Sequence, residues 1–288
     1  MYPSAFDYYR PTSVAEVIKL LQENPEGKII AGGHSLLPMM KLRLANPASL
    51  IDIGKVEGLS GIKSSNGNVV VGSMTTYDQI LKSDAIAQSL PMMAKAANVV
   101  GDIQVRNRGT IGGSISHADP ASDFPAVLLA LNASVKAVGP NGERTIGVDD
   151  FFVDMFTTSL ETEEVVTEVS VPKPQGKTGM AYEKFAHPAS GYAVVGVAAV
   201  VTLRDDGKVA SARVAVTGAG PIATRSTGTE DAITGQDPSA ENVKAAAAKA
   251  SDGMTFLGDI HAGEEYRAHL TRVFAERALN NAVAAARG

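Results

Sequence analysis

Two stretches of this sequence combine glycine with small hydroxyl side chains in a pattern suited to holding an anion. The first, Ala31-Gly32-Gly33-His34-Ser35, follows a short apolar run and precedes a helix-competent segment, Leu36–Leu44. Glycine reaches positive φ cheaply and has no Cβ, so successive N–H groups can converge on one anion. A helix beginning after Ser35 would add the positive end of its dipole. The Ser35 hydroxyl can cap that helix or donate to a phosphate. The stretch is neither GxGxxG nor a Walker A loop, because the lysine and the spacing are missing. On these residues alone a structural turn and a phosphate cradle both stay open. His34, a lone histidine in a turn, more commonly satisfies backbone hydrogen bonds than it catalyses.

The second stretch is Arg108–Pro125, RGTIGGSISHADPASDFP. Thr110, Gly112, Gly113, Ser114 and Ser116 offer small donors and close backbone approach. Asp119 or Asp123 can accept from ribose hydroxyls, as acidic residues do in nucleotide sites. The plainer reading makes Asp119-Pro120 a turn and Asp123 the N-cap of the next helix. Two such turns roughly eighty residues apart favour one long ligand between two units, a dinucleotide cleft. A third stretch, MAYEKFAHPASGYAVVG, carries Tyr182, Lys184 and Tyr192. A ring and a cation there could flank an isoalloxazine or its carbonyl oxygens. Equally, Tyr182 and Phe185 can be strand residues packing a core. His187-Pro188 reads as a turn, and Met39, Met40, Met92 and Met93 as core. Tyr77 and Asp78 read as scaffold.

The elements that must position these residues are β/α at first. Ser13 and Glu16 suit a capping box ahead of the helical face Val14, Val17, Ile18 and Leu21. KIIAGG and SLIDIGKV read as strands, and Ser35 as the cap of a helix over Leu36–Leu44. GIKSSNGN marks a boundary or hairpin. NVVVGSMTT then starts a second unit with helices over Tyr77–Ser83, Leu90–Val100 and Phe124–Leu131, a strand over Ser134–Val138, a hairpin turn at GPNGERT and EEVVTEVSVP as closing strand. Pro172, Pro174, Gly176 and Gly179 mark a linker. Beyond it, two long β-rich runs joined by Asp205-Asp206-Gly207 form a hairpin, followed by helices over Thr224–Thr234, Ala240–Ala250 and Glu264–Ala286. The reading is α+β in three parts, 1–60, 61–175 and 176–288.

Composition narrows the function classes. The 288 residues, 44% hydrophobic and 20% charged with mean hydropathy +0.03, suit two or three compact units. A formal net charge of −5 argues against nucleic-acid or anionic-membrane binding. No apolar run reaches spanning length and MYPSAFDYYRPTSV has no signal-peptide pattern, so a cytoplasmic location without membrane insertion is expected. With no cysteine, the chain cannot form a disulfide, ligate an iron–sulfur cluster through thiolates or use a thiol nucleophile. The five histidines, 34, 117, 187, 261 and 269, never fall at a zinc-site spacing, so no metal site is expected. There is no tryptophan on which a flavin could stack.

The stretches FDYYRPTSVAEVIKLL, AGGHSLLPMMKLRLANPASLIDI, RNRGTIGGSISHADPASDFPAVLLAL and YEKFAHPASGYAVVGVAAVV resemble, in order and spacing, the FAD-binding medium subunit of molybdenum hydroxylases of the carbon monoxide dehydrogenase and xanthine dehydrogenase family. The resemblance covers essentially the whole chain. It implies a two-subdomain FAD-binding fold of the vanillyl-alcohol-oxidase type, then a C-terminal domain of a three-stranded antiparallel sheet and helices. It further implies non-covalent FAD, with both glycine motifs around the pyrophosphate. Ala31, Gly32, Gly33, His34 and Ser35 would lie at the phosphates, His34 as a bystander or minor contact. Thr110, Gly112, Gly113, Ser116 and Asp123, with Asp119, would contact the phosphates, ribose or adenine side, and Lys184 and Tyr192 would approach the flavin. The molybdenum cofactor and two [2Fe–2S] clusters would sit on a large and a small partner subunit in a dimer of heterotrimers. No catalytic residue for substrate oxidation is then expected here. The carbon monoxide dehydrogenases depart from this chain after YEK, which leaves aldehydes, purines and other N-heterocycles open as substrates. Two other classes share some of these features: a stand-alone flavin oxidase with FAD attached through His34, and a flavin-free adaptor, against which intact Gly32, Gly33, Gly112 and Gly113 argue.

Overall fold

A computed structural model describes residues 2–288. In the first unit, the helix Val14–Glu23 starts where Ser13 Oγ accepts the Glu16 N–H at 3.2 Å. The Glu16 carboxylate accepts from Thr12 N–H at 2.7 Å rather than from Ser13, so only half of the predicted capping box forms. Val17, Leu21 and Ile51 are buried together, which pins this helix on a parallel sheet. That sheet has Ser49–Asp52 in the middle, with Asp7–Tyr9 and Lys28–Ile30 on its two sides. The helix after the first glycine turn is shorter than its pattern suggests, Leu36–Lys41.

The second unit is a five-stranded antiparallel sheet in the order Ile62–Ser65, Asn68–Gly72, Val165–Pro172, Ser134–Gly139, Gly142–Gly147. The last of these in sequence is the central strand in space, with Val169 opposite both Val71 and Val135. Two hairpins each present one apolar edge, and the run Val165, Val166, Val169 and Val171 joins them and is buried throughout. Six short helices between Tyr77 and Ala130 connect the strand Asn68–Gly72 to the strand Ser134–Gly139. Thr76 and Gln79 form a full capping box on Tyr77–Leu81, and Pro91 opens Pro91–Asn98 at the position where proline is tolerated. Asp123–Ala130 is buried along its whole length, because the third unit closes over its outer side.

The third unit is a sheet of three long antiparallel strands, Lys177–Ala186, Ala193–Leu203 and Val209–Thr217, to which a two-residue strand, Thr224–Arg225, adds a fourth. Its two faces divide by alternation. Ala198 and Ala215 join the core of the second unit, whereas Val197, Ala199 and Val201 lie under the long helix Glu264–Arg287. A Cβ on Gly179 would stand 2.0 Å from Ala282 O, so glycine is what lets that helix lie so close to the sheet. A small hairpin, Phe152–Asp154 with Thr157–Thr158, carries Phe156 at its tip in the left-handed region (φ +55). Among the described residues no helix is long and apolar enough to cross a membrane.

Candidate cofactor-binding site

The three units meet around a cleft of about 830 Å³, lined by both glycine stretches and by Ser190, Gly191 and Tyr192 of the third unit. The strand Lys28–Ile30 delivers the first stretch to the cleft floor. Gly33 turns the chain at φ +78, a conformation that glycine adopts without penalty. A Cβ on Gly32 would lie 2.1 Å from Arg108 O, so the first loop rests directly on the backbone that leads into the second. A Cβ on Gly113 would come within 3.6 Å of Ala31 Cβ from the other side. The two stretches therefore form one continuous surface.

They do not contribute the same chemistry. Among the described residues the N–H groups of Gly32, Gly33, His34 and Ser35 reach no protein acceptor, which leaves a run of backbone donors at the cleft. In the second stretch these donors are engaged inside the protein. Ile111 N–H donates to Thr75 O at 3.0 Å, Gly112 N–H to Ser73 O at 2.8 Å, Gly113 N–H to Thr110 Oγ1 at 3.1 Å and Ser114 N–H to Thr110 O at 3.0 Å. Gly112 is required for contact with the neighbouring strand, since its Cβ would fall 2.5 Å from Ser73 Cβ. The second stretch thus offers hydroxyls and a floor free of Cβ atoms, and the backbone cradle belongs to the first alone. Thr110 Oγ1 is an N-cap acceptor whose own proton is still available to a ligand, and Ser116 is exposed at the cleft.

Several side chains sit otherwise than the sequence suggests. Ser35 has helical backbone angles and makes no capping bond, so its hydroxyl is open to the cleft. The His34 ring lines the cleft exposed and, among the described residues, does not bond the backbone as a turn histidine commonly would. Asp119 does form the predicted turn, accepting Ala121 N–H on Oδ1 at 2.9 Å, with its carboxylate still on the cleft wall. Asp123 is not an N-cap; Ser122 holds that position, and Asp123 lies in the first turn, 5% exposed. The Tyr182 hydroxyl donates to it at 2.5 Å and Lys184 Nζ lies 2.9 Å away. Burial pushes the Asp123 carboxyl above the ordinary aspartate value, and Lys184 and Tyr182 draw it only part of the way back. Lys184 is itself buried, donates also to Val99 O at 3.0 Å and does not line the cleft. It stands behind Asp123, which does line the cleft. Tyr182 is a strand residue of the core, and burial followed by the Asp123 charge holds its phenol well above the ordinary value. Tyr192, 45% exposed, does face the cleft, its phenol raised first by burial and then by Asp119.

Residues beyond these motifs complete the wall. Tyr77, read from the sequence as scaffold, is buried against Phe124 with ring centroids 5.1 Å apart and still reaches the cleft. The pattern held one clue to it, because Gly109 precedes Thr110 and a Cβ there would be 2.8 Å from the Tyr77 ring. Asn46, Pro47, Phe156, Glu164 and Val166 also line the cleft and carried no local signal. The arrangement fits a dinucleotide with a planar ring. Unpartnered N–H groups face one stretch of a long cavity, Ile30, Met39, Val100 and Val165 provide apolar walls, and carboxylates flank the remainder. Among the described residues no group of histidine, aspartate or glutamate side chains is placed to hold a metal.

Residues 4–174 match the family described as the FAD binding domain in molybdopterin dehydrogenase, and residues 180–282 the CO dehydrogenase flavoprotein C-terminal domain. The likeness to carbon monoxide dehydrogenases therefore continues past Lys184, where the sequence suggests a departure. The carbon monoxide dehydrogenase medium chain of Hydrogenophaga pseudoflava is 40% identical over 98% of each chain. The 6-hydroxypseudooxynicotine dehydrogenase complex subunit alpha of Paenarthrobacter nicotinovorans is 38% identical over 100% of this chain and 97% of its own. Among solved structures, the carbon monoxide dehydrogenase from Hydrogenophaga pseudoflava superposes with a TM-score of 0.96 at 40% identity over 99% of each chain. Quinoline 2-oxidoreductase from Pseudomonas putida 86 gives 0.95 at 31% identity over 100% of each. With two family matches spanning its length and relatives this similar, the chain belongs to the FAD-binding medium subunits of the molybdenum hydroxylases, the family of the carbon monoxide and xanthine dehydrogenases.

Proposed function

We propose that this chain is the electron-transfer subunit of a cytoplasmic molybdenum hydroxylase complex. It takes electrons from [2Fe–2S] clusters of a small partner and passes them to an external acceptor, while substrate is oxidised at the molybdenum centre of a large partner. The expected assembly is a dimer of heterotrimers. The observation that carries this reading is a cleft with a free backbone cradle in a chain with no cysteine, so the protein can hold a dinucleotide but no thiolate-ligated cluster. When bound, FAD supplies the ability to gain electrons singly and release them as a pair. The N–H groups of Gly32–Ser35 hold the pyrophosphate charge, assisted by the hydroxyls of Ser35, Thr110 and Ser116. Asp119 accepts from ribose hydroxyls, Tyr192 lies along the ring system, and Asp123, fixed by Lys184 and Tyr182, holds its orientation beside the cleft. The relatives are named for carbon monoxide, nicotine, glyceraldehyde and xanthine chemistry, and in this reading the large partner sets that choice.

Co-purification from the native source tests the proposal. A large molybdenum-containing chain and a small cysteine-rich chain should accompany this one, and assays on that complex then identify the substrate. Isolation as a lone flavoprotein that oxidises a substrate by itself would overturn the reading in favour of an independent oxidase. That alternative rests on one observation, the unbonded and exposed His34 ring at the cleft.

A further inference from the structure

Three consecutive carbonyls in the turn Val99–Gly101 are held by two cations. Val99 O accepts from Lys184 Nζ at 3.0 Å, and Val100 O and Gly101 O accept from Arg106 Nη1 at 3.2 and 3.1 Å. The turn follows the helix Pro91–Asn98, at the end where a helix favours cations. Its shape is tightly fixed. Gly101 stands at φ +46, and a Cβ there would lie 2.9 Å from Val105 Cβ. The third unit also meets the turn directly, because a Cβ on Gly191 would be 3.5 Å from Gly101 Cα. Val100, Gly101 and Val105 therefore line the cleft beside Gly191 and Tyr192.

With its carbonyls anchored, the turn has one backbone donor to spare. Val99 N–H donates to Ala96 O at 3.1 Å and Val100 N–H to Ala97 O at 3.3 Å. Gly101 N–H, at a residue that lines the cleft, reaches no acceptor among the described residues. A single N–H next to the Gly191–Tyr192 turn suits the edge of a planar heterocycle, where carbonyl oxygens and ring nitrogens accept in plane. Lys184 is what ties this turn to the rest of the wall. Its ammonium, 5% exposed, comes from the third unit and bridges Val99 O to the Asp123 carboxylate, both of the second. The neighbouring pair of Lys95 and Glu183 is solvent-exposed and holds the strand only weakly.

We propose that Lys184 is a positioning residue for the flavin ring. Without touching the cofactor it fixes the Val99–Gly101 turn, so that Gly101 N–H donates to an acceptor on the ring's edge. The inference rests on the reading above that Tyr192 lies along the ring system. A donor fixed at that edge favours the electron-rich reduced ring over the oxidised one, so the turn sets reduction potential as well as affinity.

Because the chain has no cysteine, Lys184→Cys carries a unique thiol. Alkylated in urea with 2-bromoethylamine and refolded, that thiol bears an ammonium on a side chain of lysine's length. Alkylated with 1-bromopropane, it bears an apolar side chain of the same shape. The ammonium form should bind FAD as the wild type does, and the propyl form about ten- to a hundredfold more weakly, with a more negative flavin potential. Lys184→Gln, one atom short of Val99 O, should repeat the propyl result and serves if that form does not refold. Lys184→Met with Asp123→Asn removes both charges and should keep the low potential, which separates lost positioning from lost charge. In the wild-type and ammonium forms, added FAD should shift the Gly101 amide resonance together with that of Tyr192. FAD that shifts Tyr192 but not Gly101 overturns the proposal, as do equal potentials in the two alkylated forms. FAD that binds and shifts neither overturns the placement of the ring along Tyr192 instead.

Discussion

Asp123 illustrates how the site depends on a few groups far apart in sequence. Its partners Tyr182 and Lys184 lie 59 and 61 positions downstream and are brought to it only by closure of the third unit over the second. Removing one member of a buried pair strands the other in a low-dielectric environment, a loss of about 3–5 kcal/mol. Lys184→Met should therefore lower urea stability by that amount, and Lys184→Met with Asp123→Asn should recover part of it. The acid was legible in the sequence as part of a nucleotide-type motif, but its counter-charge was not, because no local pattern marks the contact. The glycines divide in the same way. Their presence was legible, but which loop keeps free N–H groups depends on Ser73 and Thr75 being brought beneath the second loop. Gly33 is the position where fold and binding separate most cleanly. Gly33→Val forces a β-branched residue to φ +78, at about 1–3 kcal/mol of local strain. It should empty the flavin site while far-UV circular dichroism stays native. Gly113→Val should do the same by filling the space beside Ala31.

At the scale of elements, the sequence pattern identified most helices and strands but not the order of the middle sheet. Val165–Pro172 reads as a closing strand because it is last in sequence, yet non-local pairing places it at the centre. No periodicity encodes that order. Thr224–Arg225, placed by the sequence pattern at the start of a helix, is a short strand, because two residues show no alternation and its identity rests on pairing with Ala215 and Val216; the helix begins only at Thr227. The edge of the middle sheet is tied to the strand leading into Val165 by Arg144, whose guanidinium meets the Glu164 carboxylate at 2.6 and 2.7 Å. Arg144 holds that carboxyl below the ordinary glutamate value of 4.5. A lowered folded-state pKa means stability present above 4.5 and lost as pH falls through the folded value. Arg144→Met should therefore reduce Tm more at pH 7 than at pH 3, so that the two scans converge under acid. Equal reductions at both pH values would show that the pair carries no linkage. In the third unit, Gly179→Val should detach the helix Glu264–Arg287 from its sheet, because its side chain would collide with Ala282 O. The helix amides should then lose protection in hydrogen exchange ahead of those in the five-stranded sheet.

Across the whole molecule, three units of ordinary architecture make one site only where they meet. The first supplies the backbone donors, the second the hydroxyls and carboxylates, and the third Tyr192 together with the groups that hold Asp123. This division explains why local sequence reading found the loops but gave no sign that Tyr77 reaches the cleft. The chemistry this cleft supports is retention of a redox cofactor. Flavin released by acid precipitation of the purified wild-type chain and of Gly33→Val tests this most directly. The account predicts stoichiometric FAD in the wild-type supernatant, none retained by the protein pellet, and little in either fraction of the variant. A colourless wild-type chain, flavin that stays in the pellet, or an unchanged yield from Gly33→Val would contradict it.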